Sequence, residues 1–102
     1  MKFNVYMDDI REVPECLDGL WVPIRKVSDV IYLLKKGIVG HMSLDHDMGK
    51  DYLGGSEPTG YDLLCWMERE NVWNDGDIYI HTANPVGRNN MLAVVGRRTQ
   101  PK

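Results

Sequence analysis

Residues 77–88 read Asp77-Ile78-Tyr79-Ile80-His81-Thr82-Ala83-Asn84-Pro85-Val86-Gly87-Arg88. An apolar run suited to a buried strand, 77–81, passes almost at once into a helix start. Asn84 is a good capping residue there, and Pro85 has no N–H to lose at the first helical position. A strand that feeds a helix so directly is half of a parallel β-α-β unit, and the alternation recurs along the chain. Residues 2–7 predict a first strand, and 20–25 a second, whose Pro23 removes a ladder donor and suits an edge. A helix follows, capped by Ser28, with Val30, Ile31, Leu33 and Leu34 on its apolar face and Gly37 at its end. Residues 41–45 predict a third strand. Residues 59–71 predict a second helix, capped by Thr59 with Asp62 three positions on, and Asn74-Asp75-Gly76 turns the chain into the 77–81 strand. Gly96 is placed to stop the third helix. Two segments stay outside this pattern: residues 8–19, with Pro14, Asp18 and Gly19 and no apolar helical face, and the long loop 46–58.

The 102 residues are 26% charged and 43% hydrophobic, which bounds the chain to one domain, 1–102. A net charge of −3 excludes a protein held on duplex DNA by phosphate neutralisation and leaves room for a small anionic ligand at a local site. Cys16 and Cys65 have neither metal nor disulfide spacing and read as reduced thiols. With no signal-like N-terminus and no membrane-length apolar run, a cytoplasmic chain is expected. Residues 97–102 read as a basic, solvated tail.

The unusual polar residues gather just after strands. Asp8 and Asp9 follow the first, Asp45, His46 and Asp47 end the third, and His81, Thr82 and Asn84 end the fourth. In an open parallel sheet these carboxyl ends share one edge, where ligands bind. Singly, each has an ordinary structural reading: an Asx turn, a satisfied histidine, a helix cap. Together, Asp8, Asp9, Asp45 and Asp47 form a set of hard oxygen ligands suited to a divalent cation, Mg²⁺ or Mn²⁺. His46 and His81 suit general acid–base work, with Asp45 beside them as a catalytic carboxylate. Thr82, Asn84, Gly87 and Arg88, helped by Arg11, read as an anion cradle at a helix start. Arg25 flanks the same edge. The Trp21, Trp66 and Trp73 indoles read as packing residues rather than a base-stacking platform.

The stretches Val5-Tyr6-Met7-Asp8-Asp9, Ser43-Leu44-Asp45, Gly60-Tyr61-Asp62-Leu63 and Ile80-His81-Thr82-Ala83 resemble the frame of a response-regulator receiver domain. Asp45 stands at its phosphoacceptor position and Thr82 at its hydroxyl position. The chain departs from that frame in lacking a fifth strand with its lysine and in adding histidines. Asp8-Asp9-Ile10-Arg11, Ser43-Leu44-Asp45-His46-Asp47-Met48-Gly49 and the 81–91 segment more closely resemble the cyclic-phosphate processing receiver family. That resemblance implies an α/β, flavodoxin-like, three-layer parallel sheet of about four strands in the order 2-1-3-4 with about three helices. It also implies a phosphodiester hydrolase acting on a cyclic nucleotide, a cyclic dinucleotide or an RNA 2′,3′-cyclic end, in RNA repair or virus–host conflict. The alternative is a non-catalytic module that binds a nucleotide or is phosphorylated on Asp45.

Overall fold

The computed structural model describes residues 2–15, 17, 19–50 and 53–98. Its elements are β1 (Phe3–Met7), β2 (Trp21–Ile24), α1 (Val27–Lys35), β3 (Val39–Leu44), α2 (Gly60–Glu70), β4 (Ile78–Ile80) and α3 (Pro85–Arg98). The strands form one parallel sheet in the order β2-β1-β3-β4. This is the expected topology, with Pro23 on an edge strand.

Strand alternation divides the sheet into two unlike faces. Val5, Met7, Met42 and Leu44 point into one core with Val27, Val30 and Leu34 of α1, Leu63, Leu64 and Met67 of α2, and Met91 and Val94 of α3. All three helices therefore lie on the same side. The reason is the handedness of crossovers: β2 to β3 and β3 to β4 both step in one direction across the sheet, so right-handed connections bring α1 and α2 to a common face. Only the return step from β1 to β2 would put a helix on the other face, and its described residues form none. The three-layer expectation is corrected accordingly, because the layer opposite the core holds no helix among the described residues. That open face carries Tyr6, Ser43 and Tyr79 in register.

Local signals were obeyed unevenly. Thr59 and Asp62 form the expected capping box, with bonds of 3.1 and 2.8 Å. Gly37 takes up positive φ just past α1, as a helix-ending glycine should. Ser28 does not cap α1: the helix begins at Val27, with Lys26 before it and no side-chain cap. Burying Val27 along with Val30 draws the first turn two residues earlier and leaves Ser28 exposed. Gly96 does not stop α3 either. Arg97 bonds the Glu68 carboxylate twice, at 2.8 and 3.0 Å, and Arg98 bonds the buried Asn74 and stacks on Trp73. These tertiary contacts carry the helix past a glycine that costs only about 1 kcal/mol, so Arg97 and Arg98 belong to the folded structure rather than to a solvated tail. The expectations for Met1, Cys16, Asp18, residues 51–52 and the tail 99–102 lie outside the described residues; Cys65 is a free thiol. No helix among the described residues is long and apolar enough to cross a membrane.

Candidate functional site

The parallel register builds the site. Met7 pairs with Leu44 and Leu44 with Ile80, and the ladder continues one step, with Asp45 N–H donating to Met7 and His81 N–H to Leu44, each at 2.9 Å. Asp8, Asp45 and His81 therefore stand side by side at the carboxyl edge, above the row Tyr6, Ser43, Tyr79. Both rows belong to the open face, because side chains alternate along each strand.

Asp8 is the most constrained member, with 0% exposure. Its Oδ1 accepts the N–H groups of Ile10 and Arg11 at 2.9 and 2.8 Å, and its Oδ2 lies 3.0 Å from His81 Nε2. Burial pushes this carboxyl up, but the Arg11 and Ile10 N–H groups and His81 together hold it below its usual range. Arg25 fixes the same turn, donating to the Asp8 and Arg11 carbonyls at 3.0 and 2.6 Å. This accounts for Arg25 structurally. The Arg11 guanidinium, about half exposed, approaches Asp8 Oδ2 at 3.9 Å.

The His81 ring stacks on Tyr6 with centroids 4.2 Å apart and planes 5° from parallel. Its Nδ1 lies 2.7 Å from Ser43 Oγ. Burial lowers its pKa from the ordinary 6.5, against the opposing pull of Asp8 and Asp45, so the ring is neutral at pH 7. An ionised Asp8 only accepts, so the single ring proton sits on Nε2 and the lone pair on Nδ1. Ser43 was not singled out as a functional residue, and neither was Tyr6. The available signal was a hydroxyl between the apolar Met42 and Leu44, two positions before Asp45.

Asp45 is pushed above its usual range, first by burial and then by the charge of Asp8, although His46 N–H and the Thr82 hydroxyl both bond it. Oxygens of Asp8, Asp9 and Asp45 all lie within 4.8 Å of one another. Such a set suits a hard divalent cation. The two N–H bonds on Asp8 Oδ1 and the His81 bond on Oδ2 use most of that residue's accepting capacity, so Asp9 and Asp45 are the carboxylates that could hold a cation, with the Asp8 charge behind them. Asp47, expected in this set, is instead exposed and bonds His46 Nδ1 at 2.9 Å.

His46 does not face His81. Its ring packs on α3, where a Cβ added at Gly87 would lie 2.5 Å from Cγ and Cδ2. The close packing of that ring explains the glycine. The expected anion cradle is largely closed by its own cap: Asn84 Oδ1 accepts Gly87 N–H at 3.0 Å, and Arg88 reaches back to the Ile80 carbonyl at 3.0 Å. Thr82 is held at the edge through Asp45 and through the N–H of Asn84. Of the residues expected to bind an anion, Arg11 and Thr82 lie beside the carboxylates, while Asn84, Gly87 and Arg88 are engaged with one another and with β4.

A four-stranded parallel sheet in this order, with three helices and an acidic carboxyl edge, defines a receiver-like domain. The model of the cyclic-phosphate processing receiver domain matches residues 3–97, and the chain belongs to that family. No curated protein and no solved structure matches it.

Proposed function

We propose that this protein opens a cyclic phosphodiester by hydrolysis at the carboxyl edge of the sheet. The observation that carries the proposal is the Asp8–His81 pair: a neutral imidazole, fixed by a buried carboxylate, with its lone pair on Nδ1. That is the state a proton acceptor needs near neutrality. When an oxygen nucleophile attacks phosphorus, Nδ1 receives its proton, and the Asp8 charge stabilises the imidazolium that results. The half-exposed Arg11 guanidinium supplies positive charge for the phosphoryl oxygens. His46, on the other side of the edge and polarised by Asp47, is the candidate acid for the departing ribose oxygen. A divalent cation held by Asp9 and Asp45 would neutralise charge on the phosphate.

Nucleoside 2′,3′- and 3′,5′-cyclic phosphates, cyclic dinucleotides and RNA with a 2′,3′-cyclic end, each with and without Mg²⁺ or Mn²⁺, form the test. Ring-opened product with at least one class, lost in His81→Gln, is expected. No turnover of any class overturns the proposal. A substrate among RNA ends would place the protein in RNA repair. A second reading, phosphorylation of Asp45, draws on the Thr82 hydroxyl beside that carboxylate. A mass gain with acetyl phosphate that disappears in Asp45→Asn would favour it.

A further inference from the structure

The three groups at the open face form one continuous chain: Ser43 Oγ to His81 Nδ1 at 2.7 Å, and His81 Nε2 to Asp8 Oδ2 at 3.0 Å. The polarity of that chain is fixed from its buried end. Asp8 accepts, so Nε2–H donates, Nδ1 is bare, and the Ser43 hydroxyl must be the donor to it. Both ring nitrogens are thereby occupied. A water molecule has no free nitrogen to which it could give a proton, and the O–H already aimed at Nδ1 belongs to Ser43.

We infer that Ser43 is a nucleophile activated by His81 and positioned through it by Asp8. The arrangement has the logic of the serine hydrolase triad, with the two ring nitrogens exchanged: Nδ1 meets the hydroxyl and Nε2 the carboxylate. Each part is held independently. Asp8 is anchored by two backbone N–H groups, the His81 ring lies flat on Tyr6, and Ser43, near the end of β3, is paired on both sides, with Tyr6 of β1 and Tyr79 of β4. The serine also has a route to a ligand. Although only 7% exposed, it lines a recess of about 490 Å³ on the helix-free face together with Leu17, Trp21, His41 and Tyr79. A helix on this side of the sheet would have closed that recess.

The chemistry balances without any oxidant or reductant. Ser43 Oγ bonds to phosphorus, the ring P–O bond to the ribose oxygen breaks, the serine proton passes to Nδ1, and His46 gives a proton to the departing oxygen. Water then bonds to phosphorus, the Ser43 Oγ–P bond breaks, Ser43 takes its proton back from His81, and the proton of the water restores His46. One water is consumed. For its substrate this inference rests on the proposed phosphodiester chemistry; the activated serine stands separately from it.

The test uses the full chain and a phosphorofluoridate, diisopropyl fluorophosphate, in which Oγ–P bond formation expels fluoride. Wild-type protein is expected to gain one phosphoryl adduct, mapped to Ser43 by peptide mass spectrometry. Ser43→Ala should gain none, and His81→Gln should be labelled about 10²- to 10⁴-fold more slowly, as befits loss of a general base. Melting curves run in parallel report whether the variants are folded, and where one is not, the adduct's position in the wild type decides alone. No adduct under conditions that label a serine hydrolase, or an adduct elsewhere, overturns the inference. Label on Ser43 without turnover of any cyclic phosphate upholds the nucleophile and removes the substrate. Wild-type turnover by Ser43→Ala removes the nucleophile and keeps the substrate.

Discussion

Replacing Gly87 by alanine sets two physical effects against each other at the start of α3. In an open helix the change stabilises by up to about 1 kcal/mol. Here the new methyl would stand 2.5 Å from two atoms of the His46 ring, well inside van der Waals contact. The ring is rigid and is met close to its attachment rather than at a flexible tip, so it gives way only by swinging off its seat. A contact this short falls in the upper part of the usual overpacking range, about 2–3 kcal/mol, and after a helical gain of about 1 kcal/mol the net loss is about 1–2 kcal/mol. In a domain near 100 residues that lowers Tm by about 4–16 °C. Gly96→Ala is the control: nothing lies within 4 Å of its added Cβ, so it should raise Tm by a few degrees. In a His46→Ala background the obstruction is gone, and adding Gly87→Ala should then stabilise. Thermal unfolding followed by circular dichroism measures all of these. Wild-type Tm or higher for Gly87→Ala, or the same sign of effect in both backgrounds, would refute the packing of His46 against α3.

Acid should lower the protein's stability over two pH windows. The neutral His81 contributes fully above pH 6.5 and loses that contribution as pH falls towards its lowered folded value; Asp8 does the same below 3.8. Histidine proton shifts in NMR should place His81 below 6.5, and a value above it would contradict the burial argument. Asp45 has the opposite sign. Its raised carboxyl costs stability while ionised, so Asp45→Asn, which keeps an oxygen for His46 N–H, should raise Tm at pH 8 and gain less in acid. A cation on Asp9 and Asp45 should raise Tm with Mn²⁺ concentration, and Asp9→Asn should abolish that rise. Leu64→Ala, in the centre of the core, should cost about 2–5 kcal/mol in urea titration, whereas exposed Tyr32→Ala should stay within about 0.5 kcal/mol.

Much of the architecture was legible because its signals are local. Apolar runs, Thr59 with Asp62, Pro23 and Gly37 each act within a few residues, and they placed four strands and three helices in order. The misjudged positions were those where distant partners win. Ser28 is a better cap than Lys26, but the core takes Val27. Gly96 is a good stop, but Glu68 and Asn74 hold the arginines beyond it. At the site, the sequence brought Asp8, Asp9, Asp45, Thr82 and His81 to one edge through the rule that parallel strands share their carboxyl ends. Asp47, His46, Asn84, Gly87 and Arg88 follow the last strand residues closely in sequence, yet they turn towards α3 and one another, which spacing alone does not reveal.

By itself the sequence determined a receiver-like parallel sheet with an acidic, histidine-bearing edge, because hydrophobic period, caps and turns are written residue by residue. Tertiary structure alone decided which side of that edge holds the Asp8–His81 pair. Among the described residues, crossover handedness put every helix on one face and left the other open, and strand register set Ser43 one step below His81. A two-residue alternation names the face of each side chain along its own strand, but only the pairing of three strands brings Ser43, His81 and Asp8 into a single hydrogen-bonded line.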